Sequence, residues 1–246
     1  MSKTRLDLLD TLRGWTLVNM IAYHGLWNLV HLYGIRLDWY RGTLGYVWQQ
    51  SICWTFILLS GFCWSLSRNH WKRGWTIFAG GLVVSAVTHL AMPQAAINFG
   101  ILTFLGSAVL LLIPLEKGLK KIPALPGLLA SSMAFCLLRN VGRGTFGFEG
   151  LVLGAVPKGL YRNLMTAYLG FPAPDFRSTD YFALIPWMGL FLAGYFLYRI
   201  FHGKDWDVRL FARGKISCLT FLGKHSLLVY LLHQPILYGI MALLFS

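Results

Sequence analysis

The chain has 246 residues, of which 56% are hydrophobic and only 13% are charged, and its mean hydropathy is +0.57. Because soluble domains carry roughly 25% charged residues, this composition excludes an ordinary soluble fold, a disordered chain and a coiled coil. The formal net charge is +13, which in a membrane protein more often reflects orientation than binding to nucleic acid. We therefore expect an integral protein of the lipid bilayer with no nucleic-acid partner.

Seven apolar segments are long enough to cross a bilayer as helices, since a hydrocarbon core about 30 Å thick needs about 20 mostly apolar residues. These segments are 12–30, 46–66, 75–90, 97–115, 125–138, 182–200 and 227–245. The fifth segment is short and begins near prolines, which a helix start tolerates. No internal repeat is evident. The sequence thus predicts an all-α, polytopic membrane bundle of about seven transmembrane helices, folded as a single domain over residues 1–246.

The distribution of positive charge predicts the orientation. With the N-terminus in the cytoplasm, the inside arms hold 15 Lys and Arg residues and the outside loops hold 7. The inside arms are 1–13, 67–74, 116–124 and 199–226, and the outside loops are 31–45, 91–96 and 139–181. This excess indicates a multi-pass protein of the cell membrane with a cytoplasmic N-terminus. We expect acceptor contacts in the long outside loop, which carries Arg139, Arg143, Glu149 and Asp175.

The four cysteines do not suggest a metal or redox centre. Cys53, Cys63, Cys136 and Cys218 are scattered without a CxxC pair, and three of them lie inside apolar runs. They are predicted to be thiols of the core, and no metal site is expected.

The first span carries ionisable residues at membrane depth, where such residues are costly and mark functional sites. Arg13 and His24 are eleven residues apart, about 20° beyond three full helical turns, so they share one face of the helix. They are separated by about 16 Å along the axis, with Arg13 at the cytoplasmic end. Asp10 precedes Arg13 by three residues and Asn28 follows His24 by four, so both extend the same polar stripe.

A cation at the membrane surface with an imidazole about 16 Å deeper suits a long donor that has an anionic head. The phosphates of such a donor would lie near Arg13, and its reactive end would reach His24. Imidazole is the side chain best able to accept a proton near neutral pH. Taken singly, Arg13 also fits a positive-inside anchor, and His24 also fits a buried histidine that bonds a neighbouring helix.

The seventh span carries a second polar set, formed by Tyr230, His233 and Gln234. Pro235 follows directly and leaves a backbone carbonyl without its helical partner. A helix with these side chains on neighbouring turns is expected to face protein or a cavity and not lipid.

Further cations lie at the predicted cytoplasmic ends of the spans. Arg68, Arg73 and Lys224 each either orient the chain or hold the phosphates of a donor. His31, near the outer end of the first span, is cheap to solvate there and is interpreted as structural.

Five short motifs occur in order along the chain. They are Arg5-Leu-Asp-Leu-Leu-Asp-Thr-Leu-Arg-Gly14, Ile57-Leu-Leu-Ser-Gly61, Asn98-Phe-Gly-Ile-Leu102, Asp180-Tyr-Phe-Ala-Leu-Ile-Pro-Trp187 and the Gly-x-His-Ser…Tyr-x-x-His-Gln-Pro stretch of residues 223–235. Over nearly its whole length the chain resembles a bacterial member of the DUF1624 group. That group is related to the catalytic domain of heparan-alpha-glucosaminide N-acetyltransferase within the transmembrane acyltransferase superfamily. The spacing of Arg13 and His24 is also similar to a motif of the related acyltransferase-3 proteins.

This resemblance implies an enzyme that moves an acyl group from a cytoplasmic coenzyme A thioester to an amine or hydroxyl on the far side of the membrane. It makes His24 the catalytic histidine and Arg13 a partner of the donor or of the site's structure. In the lysosomal members the catalytic histidine need not align with His24, so His31 remains an alternative. Those enzymes also carry a lumenal domain, for which we find no counterpart in these residues, so we expect no transfer of their glycosaminoglycan specificity.

We therefore predict an acetyltransferase with acetyl-CoA as donor and an extracytoplasmic acceptor, either a glycan or another amine or hydroxyl. The pantetheine arm of coenzyme A is long enough to cover something like the 16 Å between Arg13 and His24. Besides these two catalytic residues, the predicted substrate-binding residues are Asp10, Asn28, Arg68, Arg73, Lys224, Tyr230, His233 and Gln234.

Several alternatives stay open. In a transporter the same polar residues would line a substrate path without covalent chemistry, although the chain has no inverted repeats or paired broken helices. In a scaffold protein they would only hold helices together. Direct transfer and an acyl-histidine intermediate are both compatible with the residues, and so are a monomer and a homodimer.

Overall fold

The computed structural model describes residues 6–202 and 214–245. Arg5, which opens the first motif, lies outside the described residues, and so do Lys204, Arg209 and Arg213 of the predicted inside arm 199–226. The described part is mostly helical. Its main elements are α1 (Asp7–His31), α2 (Asp38–Arg41), α3 (Thr43–Phe62), α4 (His70–Ala91), α5 (Ile101–Leu119), α6 (Ala124–Leu138), β1 (Thr145–Phe148), β2 (Leu151–Ala155), α7 (Leu164–Leu169), α8 (Leu184–His202), α9 (Ser217–Lys224) and α10 (Ser226–Leu244).

Each of the seven predicted spans lies on a helix. Within the described residues, five helices are long and apolar enough to cross a membrane, namely α4, α5, α6 with the turn that follows it, α8 and α10. Helices α1 and α3 fall short of that standard, because polar residues such as Asn19 and Gln50 interrupt their apolar runs. That α1 and α3 also cross the membrane stays a prediction. Along α4, large apolar side chains such as Leu82 and Val87 are exposed, as contact with lipid requires.

The chain divides into two compact units. The terminal unit combines Met1–Leu59 with Phe201–Ser246, and the central unit is Ser60–Ile200. In the terminal unit, α1 packs against α9 and α10, and a small core forms around Leu17, Met20 and Ile52. Helix α1 is therefore the central element of this unit.

Helices α1 and α9 approach each other closely through two matching Thr-x-x-Gly pairs. Thr11 and Gly14 lie on α1, and Thr220 and Gly223 lie on α9. The two threonine hydroxyls are hydrogen-bonded at 2.8 Å. A Cβ atom on Gly14 would overlap the backbone of α9, and one on Gly223 would overlap the backbone of α1. Glycine is needed at both positions because the two backbones touch.

The core of the central unit lies around α5 and α8. Helix α5 is buried along most of its length, and α8 buries large aromatic side chains that include Trp187 and Tyr195. Trp64, which follows α3, is only 1% exposed and donates its Nε1–H to the carbonyl of Val109. Helices α4 and α5 pack along much of their length, with Gly81 of α4 against Thr103 of α5.

The all-α prediction is wrong for residues 145–155, which form an antiparallel hairpin of β1 and β2. Aromatic and branched residues favour strands there. The turn is compact because Glu149 adopts a φ of 48° and Asn140 donates its Nδ2–H to the Glu149 carbonyl at 2.9 Å. Arg139 and Arg143 both pair with the carboxylate of Glu149, at 3.2 and 3.7 Å. These two arginines therefore brace the hairpin.

Hydrogen bonds connect two segments of the central unit, 95–101 and 177–182. The hydroxyl of Ser178 accepts from the backbone N–H of Asn98 at 3.0 Å and donates to the Asn98 carbonyl at 2.9 Å. At the start of α5, the carboxylate of Asp180 accepts from the backbone N–H of Ile101 at 3.2 Å. Burial raises the pKa of Asp180 to about 6, against the opposing effect of the Ile101 hydrogen bond.

The prediction of core thiols holds for only some of the cysteines. Cys63 is buried and Cys53 is half-buried, whereas Cys136 and Cys218 are exposed. Cys136 lies on α6, which has an apolar outer surface. In a membrane chain an apolar run contacts lipid as readily as protein, so such a run does not predict burial within the protein.

Candidate functional site

Helices α1 and α10 of the terminal unit meet at two histidines. The ring centroids of His24 and His233 lie 4.9 Å apart, with the ring planes inclined at 67°. His24 is half-buried, and His233 is only 7% exposed. The polar face of α10 is thus turned toward protein, where it meets the polar stripe of α1 at His24.

Backbone hydrogen bonds select the same tautomer in both rings. The Nδ1 atom of His24 lies 2.9 Å from the carbonyl oxygen of Met20, and the Nδ1 atom of His233 is hydrogen-bonded to the carbonyl oxygen of Tyr230. A carbonyl oxygen can only accept, so each Nδ1 must carry the proton. In the neutral form, Nε2 of each ring therefore holds a lone pair.

An amide pair lies one helical turn farther along. The Nδ2–H of Asn28 donates to Oε1 of Gln234 at 3.2 Å. Asn28 is completely buried, and its Oδ1 has no hydrogen-bond partner among the described residues, nor has Nε2 of His233. Buried acceptors without partners are rare and costly in folded proteins. This polar cluster of His24, Asn28, Tyr230, His233 and Gln234 therefore has capacity to accept hydrogen bonds from a bound molecule.

Aromatic side chains of α2 and α3 pack on Tyr23, the residue before His24. Tyr23 lies edge-on to His24, with centroids 5.9 Å apart, and its ring also contacts Tyr40 at 5.0 Å and Trp48 at 5.5 Å. The hydroxyl of Tyr40 donates to the Tyr23 carbonyl at 3.2 Å. This aromatic group was not predicted from the sequence, because Tyr40 and Trp48 come from other helices than His24.

At the other end of α1 the predicted donor-binding cations are already paired. Arg13 forms an ion pair with Asp10 at 2.9 Å and points toward the Gly223 carbonyl, 3.5 Å away. The ammonium group of Lys224 lies 3.9 Å from the carboxylate of Asp7. Each cation has an acidic neighbour. The two cations and the two carboxylates therefore give this end of the helix no net positive charge. The geometry favours a structural role for Arg13, as a link between α1 and α9.

The other two predicted cations, Arg68 and Arg73, belong to the central unit. Arg73 donates to the carbonyl of Cys63 at 3.0 Å and to the hydroxyl of Ser60 at 3.3 Å, so it fastens the end of α3. Arg68 is exposed. Their part in binding a donor stays a prediction.

His31, the alternative catalytic residue, stands apart from the polar cluster. Its ring stacks on Trp27 with a centroid distance of 4.6 Å, and its Nδ1 donates to the Trp27 carbonyl at 3.0 Å. The side chain is exposed. Among the described residues no group of three His, Cys, Asp or Glu side chains could hold a metal ion.

Comparison with known proteins agrees with the motifs. A family model described as heparan-alpha-glucosaminide N-acetyltransferase, catalytic, matches residues 5–235. The chain belongs to this family. The predicted resemblance is confirmed, and membership in an N-acetyltransferase family indicates a transferase of the membrane acetyltransferase type. The matched range includes every residue of the polar cluster. No curated protein and no solved structure matches the chain.

Proposed function

We propose that the protein is a membrane-embedded acetyltransferase that moves an acetyl group from acetyl-CoA to an amine or hydroxyl on the extracytoplasmic side. The acceptor is a glycan or another small molecule with such a group. One observation carries the proposal: His24 donates its Nδ1–H to Met20, which leaves a lone pair on Nε2 of a half-buried ring that contacts the buried His233. Membership in the N-acetyltransferase family supports the reaction class.

His24 acts as the general base in this scheme. As the acceptor nitrogen or oxygen attacks the carbonyl carbon of the thioester, its proton passes to Nε2 of His24. The tetrahedral intermediate then collapses, the carbon–sulfur bond breaks, and coenzyme A leaves. The departing sulfur takes the proton back from the imidazolium, so coenzyme A is released as the thiol and His24 is again neutral.

The neighbouring residues hold His24 and its substrates in place. The ring of His233 packs at 4.9 Å and limits the orientations that the His24 ring can adopt. The unpaired Oδ1 of Asn28 can accept a hydrogen bond from the acceptor's amine or hydroxyl. Attack by Nε2 of His24 on the thioester would instead give an acyl-histidine, which is the second route that the site permits.

The placement of the donor follows from the predicted topology. With seven spans and a cytoplasmic N-terminus, the nucleotide of acetyl-CoA stays at the cell-membrane surface near Arg13 and Lys224, and its thioester reaches His24. Because Arg13 and Lys224 already have acidic neighbours, they contribute less to phosphate binding than unpaired cations would.

The test uses the full chain in phosphatidylcholine nanodiscs. Binding of acetyl-CoA is measured by calorimetric titration, and slow release of free coenzyme A is followed with a thiol-reactive dye. We expect saturable binding of acetyl-CoA. We also expect a slow release of free coenzyme A that becomes faster when an amine acceptor is added. Absence of acetyl-CoA binding by the intact chain overturns the proposal. Counterflow of a solute in proteoliposomes, without any response to coenzyme A, would identify a transporter instead.

A further inference from the structure

A cavity with a mixed polar and apolar lining opens in the central unit. Residues from two segments of the predicted outside loop 139–181 and from the turn between α4 and α5 form it. Its volume is about 630 Å³, which lies within the roughly 300–1,000 Å³ typical of ligand pockets. Arg162, Arg177, Asp175, Asn98, Asn163 and Phe176 are among the residues that line it.

The walls of this cavity are held by hydrogen bonds that do not involve a ligand. Asn163 caps α7 by accepting from the Thr166 backbone N–H at 3.0 Å. Elsewhere in the lining, Asn98 donates its Nδ2–H to the carbonyl of Arg177 at 2.9 Å, and Ser178 donates to the Asn98 carbonyl. A preformed site loses less conformational entropy when it binds a ligand than a flexible one does.

The charged side chains around the cavity do not neutralise one another. Within the described residues, Arg162, Asp175 and Arg177 form no ion pair. Arg177 uses only one of its nitrogens, Nη1, for the carbonyls of Pro174 and Phe176. Two guanidinium groups against one carboxylate leave positive charge in excess, and guanidinium forks bind phosphate and carboxylate groups with two parallel hydrogen bonds.

The remaining lining suits a ligand rich in hydroxyl groups. The Asn163 amide keeps its Nδ2–H groups for a ligand, Asn98 keeps its Oδ1, and the Asp175 carboxylate accepts from hydroxyls. The half-buried ring of Phe176 offers an apolar face beside them. A purely apolar ligand would leave these polar groups unpaired.

We propose that this cavity binds a sugar that carries one phosphate or carboxylate group. The anionic group lies between Arg162 and Arg177, the hydroxyls bond Asp175 and the two asparagines, and the ring carbons contact Phe176. The proposal concerns the central unit alone and does not depend on acyl transfer.

The experiment compares three probes by calorimetric titration of the full chain in phosphatidylcholine nanodiscs, without coenzyme A. The probes are glucose, inorganic phosphate, and glucose phosphorylated at its primary hydroxyl. We expect the sugar phosphate to bind at least about tenfold more tightly than either of its halves. Absence of saturable sugar-phosphate binding, or equal affinity for inorganic phosphate, overturns the proposal.

Matched variants locate the site. The double variant Arg162→Gln/Arg177→Gln is expected to weaken binding of the sugar phosphate by about 100-fold. Arg143→Gln is the control, because Arg143 lies in the same predicted loop but pairs with Glu149. Unchanged affinity in the double variant overturns the proposal. A lipid headgroup is the other source of phosphate, so loss of sugar-phosphate binding in phosphatidylglycerol nanodiscs assigns the cavity to lipid and also overturns it.

Discussion

His24 and His233 lie with their ring centroids 4.9 Å apart, although they come from opposite ends of the chain. Each ring donates Nδ1–H to a carbonyl of its own helix, so the two Nε2 lone pairs belong to one polar cluster. Of the two rings, we assign the general-base role to His24.

His24→Ala is expected to lower the rate of acetyl transfer by about 10²–10⁴-fold, the usual contribution of a general base. Acetyl-CoA binding should change little, because the imidazole acts on the acceptor's proton. Thiol release and calorimetric binding measure the two effects separately. His31→Ala is the matched control on the same helix, and a loss of turnover in that variant with full activity in His24→Ala would move the catalytic role to His31.

Asn28→Leu is expected to keep or raise thermal stability and to lower activity by about tenfold or more. The buried Oδ1 of Asn28 has no partner in the described structure, which costs folding free energy. Removing it offsets the loss of the hydrogen bond from Asn28 to Gln234. Asn19→Leu on the same helix is the contrast. Asn19 accepts from Trp48 Nε1 at 3.0 Å and donates to the Trp15 carbonyl, so its loss should cost about 1–2 kcal/mol. Equal destabilisation in both variants would contradict a functional role for Asn28.

Gly14→Ala is expected to destabilise the terminal unit by about 1–3 kcal/mol, because the added Cβ meets the backbone of α9. The measurement is the midpoint of unfolding in a denaturing-detergent titration. Gly25→Ala on the same helix is the control, since its nearest neighbour is a side-chain atom of Leu237 at 3.9 Å. That variant should gain up to about 1 kcal/mol from helix propensity. A Gly14→Ala protein as stable as Gly25→Ala would show that the two helices do not touch.

Arg13→Gln is expected to cost about 2 kcal/mol, since it leaves the buried carboxylate of Asp10 without its ion pair. The double variant Asp10→Asn/Arg13→Gln should recover part of this loss. Arg13→Gln is also expected to raise the KM for acetyl-CoA. If Arg13 acts only on structure, the KM in the double variant lies closer to the wild-type value. A KM that stays raised in the more stable double variant would instead place Arg13 on the donor.

Asp180→Asn is expected to remove a pH dependence of stability between about pH 4 and pH 6. Burial raises the pKa of Asp180 to about 6 in the folded protein. The wild-type stability from this group is therefore fully present below pH 4 and is lost as the pH rises through 6, by about 3 kcal/mol. Melting temperatures across this pH range measure the effect. Asp175→Asn, in the same loop and exposed, is the control, and a parallel pH profile in wild type and Asp180→Asn would contradict the prediction.

Helical periodicity predicts much of the architecture, but it does not predict which side chains of different helices contact each other. The stripe from Asp10 to Asn28 follows from the 100° step of a helix, and so does the bond of His24 to the carbonyl four residues earlier. The partners of that stripe do not follow, because His233 and Gln234 lie on a helix at the far end of the chain. Only their polarity within an apolar run signalled that they face protein.

One local prediction is wrong for a physical reason, and one ion pair follows from helix spacing. Arg13 pairs with Asp10 because Asp10 lies at the i−3 position, where a helix brings opposite charges together. The part of Arg13 in binding a donor stays a prediction. The hairpin at residues 145–155 was missed because its strands are short and its turn, Glu149-Gly150, depends on a positive φ at a residue that seldom adopts one. Its stability comes from Asn140 and two arginines outside the strands, which no strand pattern contains.

The close pairing of Gly14 with α9 also sets an order of assembly. Ribosomes make chains from the N-terminus, so α1 is completed long before the residues that cover Gly14, His24 and Asn28 exist. The central unit is contiguous and can pack while synthesis continues. Until α9 and α10 emerge, water, lipid headgroups or an insertion factor must form hydrogen bonds with the polar face of α1. A nascent chain stalled before residue 217 should therefore be the form that membrane proteases degrade.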